Sequence, residues 1–90
     1  MVARPTPDQR QLGLAIREVR EARGITGERL AQEAEVDLAH LNRAENHGRN
    51  LTLATFMRLA GVLEISASGL MQKAEEIAQR EMSEAEARDG

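Results

Sequence analysis

The chain has no cysteine, tryptophan or tyrosine, and its only aromatic residue is Phe56. The lack of cysteine excludes disulfides and thiolate metal sites. One aromatic ring cannot make the stacking platform that a single-strand nucleic-acid binder needs. The apolar runs are only a few residues long, so neither a signal peptide nor a membrane span is expected. A cytoplasmic location follows as an expectation. The motifs of catalysis are also missing: no nucleophile elbow, no glycine-rich phosphate loop, and Gly24 and Gly27 with Arg29 do not make a Walker motif. His40 and His47 stand seven apart with no second ligand motif, so no metal is expected. The chain reads as a non-enzyme without a cofactor.

Ninety residues make one domain, and one of this size buries roughly two-thirds of its unfolded surface. Its net charge is −3, unevenly spread. Residues 1–60 carry nine arginines against eight acidic residues, whereas residues 61–90 carry three basic and seven acidic residues. The acidity thus belongs to the C-terminal third. A near-neutral front with locally placed arginines can still bind DNA, with a weaker non-specific component.

The informative stretch is Thr26–Glu45, TGERLAQEAEVDLAHLNRAE. Leu30, Ala31 and Ala34 share one helical face. Val36 lies in a turn and points to the core. Asp37 is a good N-cap, whose carboxylate can accept from free backbone N–H groups, and Leu41 and Ala44 form the apolar stripe of the helix that follows. Two short helices, a tight turn and a small shared core predict a helix-turn-helix, which places its second helix in the DNA major groove.

Around this motif the chain divides into an N-terminal arm (1–7), a helical domain (8–82, motif about 26–46) and an acidic tail (83–90). Pro5 and Pro7 keep the arm extended. Arg4 either reaches DNA or belongs to a frayed terminus. A first helix is predicted over Asp8–Arg23, opened by the capping box of Asp8 and Gln11 and closed by Gly24. Thr26 caps the second helix, which runs to about Ala34, and the third spans about Leu38–Asn46. Thr52 caps a fourth helix to about Val62, with Leu53, Phe56, Met57, Ala60 and Leu63 as its expected buried stripe. Ser66 or Ser68 caps a long fifth helix, which carries Leu70, Met71, Ala74, Ile77, Ala78 and Met82 at helical spacing before fading into the charged end.

This pattern resembles the helix-turn-helix family of phage Cro and repressor proteins (the XRE family). The resemblance runs from about Leu12 to Leu70 and rests on Leu12–Gly13, Ile16–Arg17, Val19–Arg20, Arg23–Gly24–Ile25–Thr26, Glu28, Leu30–Ala31, Val36, Leu41, Arg43 and Glu45. It continues through Arg49–Asn50–Leu51–Thr52–Leu53, Leu59–Ala60, Leu63, Ile65–Ser66 and Leu70. Within that family, the Arg49–Leu53 run and the small size are similar to restriction–modification controller proteins.

The resemblance implies an all-α, five-helix bundle of the lambda-repressor type, with an extended C-terminal helix. It implies a structural ion pair between Arg20 and Glu45. It also implies phosphate contacts from Thr26, Gly27, Arg49 and Asn50, and base contacts from Leu38, Ala39, Asn42 and Arg43. The chain departs from the family at three positions: Gly27 replaces the usual glutamine, and Glu35 and Glu64 stand where the family prefers glycine. Leu38 and Ala39 can make only apolar contact, best with a thymine methyl, whereas Asn42 and Arg43 can reach adenine, guanine or phosphate.

Two readings of the fifth helix remain open. Its apolar residues cover the monomer core, or Met71, Ala74, Ile77, Ala78 and Met82 form a two-fold dimer interface, which the resemblance favours. The expected function is a sequence-specific transcriptional regulator that binds double-stranded DNA as a homodimer. The alternative is a protein-interaction module or antitoxin-like adaptor with reduced DNA contact and a protein partner, suggested by Gly27, Leu38, Ala39 and the acidic balance. No membrane partner is expected.

Overall fold

A computed structural model describes residues 4–89; the rest of the expected arm, residues 1–3, and the last residue of the expected tail, Gly90, lie outside the described residues. Five helices follow one another: α1 (Gln9–Ala22), α2 (Gly27–Ala34), α3 (Leu38–His47), α4 (Leu53–Val62) and α5 (Ala67–Asp89), with no strand among the described residues.

Each helix starts where a short polar side chain can replace a missing backbone partner. Asp8 and Gln11 close a full capping box on α1. Thr26, Thr52 and Ser66 each accept from the backbone N–H three residues on, at 3.1, 3.2 and 2.9 Å. Asp37 is the exception: it occupies the N-cap position of α3, but its side chain makes no capping hydrogen bond.

Three helices end in the same way. Gly24, Glu35 and Glu64 adopt the left-handed conformation, with φ of 69°, 58° and 57°. The N–H of the next residue, Ile25, Val36 or Ile65, then donates to the carbonyl five residues back, of Arg20, Ala31 or Ala60. Those three apolar residues are half-buried and pack against the core. The motif needs an apolar residue just past the bend, and that residue helps hold a glutamate in a conformation that favours glycine.

The core gathers Ile16, Leu30, Leu41, Leu59, Leu63, Leu70 and Ile77, all fully buried. Two expectations need correction here. On α4, Leu53 and Met57 are exposed, at 66% and 49%, and Leu59 is buried instead. The sequence of α4, LATFMRLAGV, is apolar on nearly every side, so its spacing could not select the inward face. On α5, Ala74, Ile77 and Ala78 are buried within the single chain and offer no surface to a second copy. Met71 is half-buried against the same core. Of the expected interface stripe only Met82 is exposed, at 43%. The reason is geometric: α5 folds back along α1, so its stripe is covered by its own chain.

α5 also continues past Met82 without a break. The last turns are rich in alanine, glutamate and arginine, which favour helix without needing burial. No single helix is long and apolar enough to cross a membrane.

Candidate nucleic-acid interface

The outer face of α3 is set by what its inner face must touch. Leu41, Ala44 and Glu45 are buried, which turns Leu38, Ala39, Asn42, Arg43, Asn46 and His47 outward as one continuous exposed stripe. All four residues expected to meet bases therefore lie on the same accessible face.

Four contacts along its length mount α3 on α1. The closest is backbone against backbone. A Cβ added to Gly13 would stand 1.8 Å from the carbonyl oxygen of Ala44, so α1 needs a residue with no side chain there. At the end of α3, Gly48 combines a φ of 69° with a similar approach, since a Cβ on it would lie 2.2 Å from the carbonyl oxygen of Gln9. Glycine inside a helix normally weakens it by about 1 kcal/mol relative to alanine. Gly13 was legible only as part of the family pattern; its signal was a glycine inside an otherwise strong helix.

The third contact is ionic. The Arg20 Nε donates to Glu45 Oε2 at 2.8 Å, and its Nη2 donates to Oε1 at 3.0 Å. The remaining Nη1 donates to the Ile25 carbonyl at 2.9 Å, so the arginine also holds the loop before α2. The side chains are 14% and 4% exposed. Hydrogen bonding to Glu45 pushes the Arg20 pKa up from its ordinary value, against a smaller opposing effect of burial. This is a two-pronged, charge-assisted pair, the geometry for which arginine is suited. A fourth, exposed contact joins the Arg17 Nη1 to Asn46 Oδ1 at 3.3 Å.

The loop after α3 is ordered by similar means. The His40 Nε2 lies 3.2 Å from the Asn50 carbonyl oxygen, tying α3 to the loop, and Asn50 itself is left-handed, with φ 55°. His40 is thus used locally. Leu51 is buried, which pins the loop to the core and leaves Arg49 and Asn50 exposed beside the stripe.

Thr26 and Gly27 bring the start of α2 to the same region. A Cβ on Gly27 would lie 3.8 Å from Leu38 Cδ1, so the α2 start and the α3 start are neighbours. The Thr26 oxygen accepts the Arg29 N–H, which leaves its hydroxyl hydrogen free to donate.

Charge pairing separates this face from the rest. Among the described residues, Arg4, Arg10, Arg17, Arg20, Arg23, Arg29, Lys73 and Arg80 each have a carboxylate within 4.0 Å. Arg43, Arg49, Arg58 and Arg88 are the lysine and arginine side chains among the described residues with no such partner. Two of these four, Arg43 and Arg49, lie on α3 and the loop that follows it. An arginine without an internal carboxylate keeps its whole charge and its fork of donors available to a phosphate or a guanine.

Comparison with known proteins identifies the fold and the family. The helix-turn-helix family model matches residues 16–70. Among solved structures, the chain is similar to the clp gene regulator ClgR from Corynebacterium glutamicum, at 20% identity and a TM-score of 0.87, over 94% of this chain and 92% of that one. A second structure of ClgR matches at 23% identity and a TM-score of 0.70, over 73% of this chain and 86% of that one. The restriction-modification controller protein C.AhdI from Aeromonas hydrophila is 32% identical, with a TM-score of 0.66, over 70% of this chain and 96% of that one. No curated protein matches. ClgR supports the fold alone, whereas the family model spans more than half of the chain and C.AhdI covers over two-thirds of it above 30% identity. By these matches, and by the fold that carries them, the chain belongs to the Cro and repressor type of the helix-turn-helix family of DNA-binding transcriptional regulators.

Proposed function

We propose that this chain binds a two-fold operator in double-stranded DNA as a homodimer, with α3 in the major groove, and regulates transcription from the adjoining promoter. The observation that carries this reading is the exposed α3 stripe, which includes Arg43 and is flanked by Arg49, both without a carboxylate partner among the described residues, whereas most other arginines there are engaged by carboxylates. Arg49, Asn50, Thr26 and the N–H groups at Gly27 grip phosphates and set the register. Leu38, Ala39, Asn42 and Arg43 face the base edges. Arg20 and Glu45 touch no DNA and hold α3 at its angle to α1.

The two copies meet through α4 and not through the buried stripe of α5. Leu53 and Met57 are one helical turn apart, both exposed, and leave apolar surface open on one side of the bundle. A two-fold pair then reads half-sites about 34 Å apart.

Titration of genomic DNA fragments at two salt concentrations tests the reading. Selective binding to a few fragments, weakening steeply as salt rises, is the expected result. Arg49→Ala weakens binding to all sequences alike and lowers the salt slope by about one, whereas Leu38→Ala alters the preferred sequence. Equal losses from both variants on specific and random DNA reject the assigned roles. The apolar first turn of α3 and the net charge of −3 favour one competitor, a protein-interaction module. A protein partner retained with no DNA affinity at low salt would establish it.

A further inference from the structure

The first turn of α3 is unusual in chemistry. Leu38 opens the helix and is 36% exposed, and Ala39 beside it is exposed. His40, the next residue, is turned to the Asn50 carbonyl at 3.2 Å. Across from Leu38 stands Gly27, which has no side chain; a Cβ there would sit 3.8 Å from Leu38 Cδ1. The leading part of the stripe is therefore apolar, with Leu38 beside the start of α2. Hydrogen-bonding side chains resume one turn later, at Asn42 and Arg43.

In the major groove, the apolar group at a base edge is the methyl on C5 of a pyrimidine. Thymine always carries it. Cytosine carries it only when methylated, at the same ring position and facing the same groove. Leu38 and Ala39 have no polar atom in their side chains with which to distinguish the O4 of thymine from the N4 amine of cytosine.

We infer that this turn reads a pyrimidine C5-methyl group, accepts thymine and 5-methylcytosine alike, and rejects unmethylated cytosine. Operator binding thereby becomes responsive to cytosine methylation at one step per half-site. The inference rests on the DNA-binding reading above and assigns the chemistry that its apolar residues recognise.

The test uses the unaltered protein and altered DNA. Duplexes selected from a random pool by the wild-type chain are resynthesised with single replacements. In one arm each dT is replaced by dU, which removes only the methyl. In the other, dC and 5-methyl-dC, each paired with dG, are compared at each pyrimidine position. Burial of one methyl corresponds to about a fourfold change in Kd. The expected result is one position per half-site where dU binds about fourfold more weakly than dT, and where 5-methyl-dC binds about fourfold more tightly than dC. Both differences shrink in Leu38→Ala, whose thermal unfolding is measured alongside, since Ala39 is left to make the remaining methyl contact. Selected duplexes on which dU equals dT at every position, or on which 5-methyl-dC equals dC at every position, overturn the inference and leave the regulator reading standing. Failure to select any duplex overturns both.

Discussion

α1 carries two partners, and it holds them by different means. Toward α3 the joint is close and largely buried: Gly13 lies against the Ala44 carbonyl, Gly48 against that of Gln9, and Arg20 is locked to a buried Glu45. Toward α5 the joint is polar and more exposed, running from Lys73 to Glu81. Glu18 accepts from Arg80 at 2.8 Å and lies 3.4 Å from Lys73, while Glu81 accepts from Gln11 at 2.8 Å and pairs with Arg10. Exposed pairs of this kind contribute little each, about 0–1 kcal/mol. α3 is thus held by largely buried contacts, whereas the end of α5 is held by exposed pairs that solvent and salt can loosen. The buried face of α5, with Leu70, Ala74 and Ile77, belongs to the core.

The sharpest way to break this contrast is to remove one partner of the buried pair. Glu45→Ala leaves a largely buried guanidinium without its carboxylate, and denaturant unfolding should show a loss of about 3–5 kcal/mol. A double replacement, Arg20→Met with Glu45→Leu, should recover much of it, since an apolar pair of similar volume removes the stranded charge. Gly13→Ala comes next. Its new methyl meets backbone and not a flexible side chain, so α1 and α3 must part, at a cost of about 1–3 kcal/mol or more by thermal unfolding. The same methyl at an exposed helix position would stabilise, so the sign of the effect tests the close approach.

The α1–α5 joint should answer to pH. Arg80 holds the Glu18 carboxyl below its ordinary value of 4.5, chiefly by hydrogen bonding and with Lys73 adding to it. Gln11 and Arg10 do the same for Glu81. A carboxyl depressed in the folded state contributes stability above the unfolded value, and that contribution is lost as pH falls through the folded one. Amide exchange in residues 80–89 should therefore accelerate as pH is lowered below about 4.5, after correction for intrinsic rates, before exchange in α3 does. In a Glu18→Gln and Glu81→Gln double variant that pH dependence should flatten. The smallest expected effect lies at the left-handed Glu35. Releasing its backbone strain with Glu35→Gly should raise stability by less than about 1 kcal/mol, because glycine also loosens the unfolded chain. A fall in melting temperature would mean that the Glu35 side chain contributes more than its strain costs.

How far the residues alone carried the reading differs by element. Helix limits were legible to within a residue or two for the first four helices, because caps are local chemistry: Asp8 with Gln11, Thr26 and Thr52 act on backbone three residues away. Asp37 shows the limit of that logic, since its position was legible but its side chain makes no capping bond. The Arg20–Glu45 pair came from the family pattern, because residues 25 apart in sequence have no local signature. On α4, an almost uniformly apolar sequence hid which face turns inward, and Leu53 and Met57 fell on the wrong side of the expectation. On α5, the same helical spacing served either a core or an interface, and only the fold-back onto α1 covered Ala74 and Ile77.

By itself the sequence determined the five helices, the helix-turn-helix at their centre and the near-neutral front that keeps Arg43 and Arg49. Each of these depends on residues within a few positions of one another or on a spacing repeated along the chain. Tertiary structure alone decided which arginines are left without a carboxylate, which face of α4 is open, and that α3 rests on a glycine of α1. Those outcomes depend on which distant segments meet, and the meeting is set by the joint packing of all five helices, which no single stretch of sequence carries.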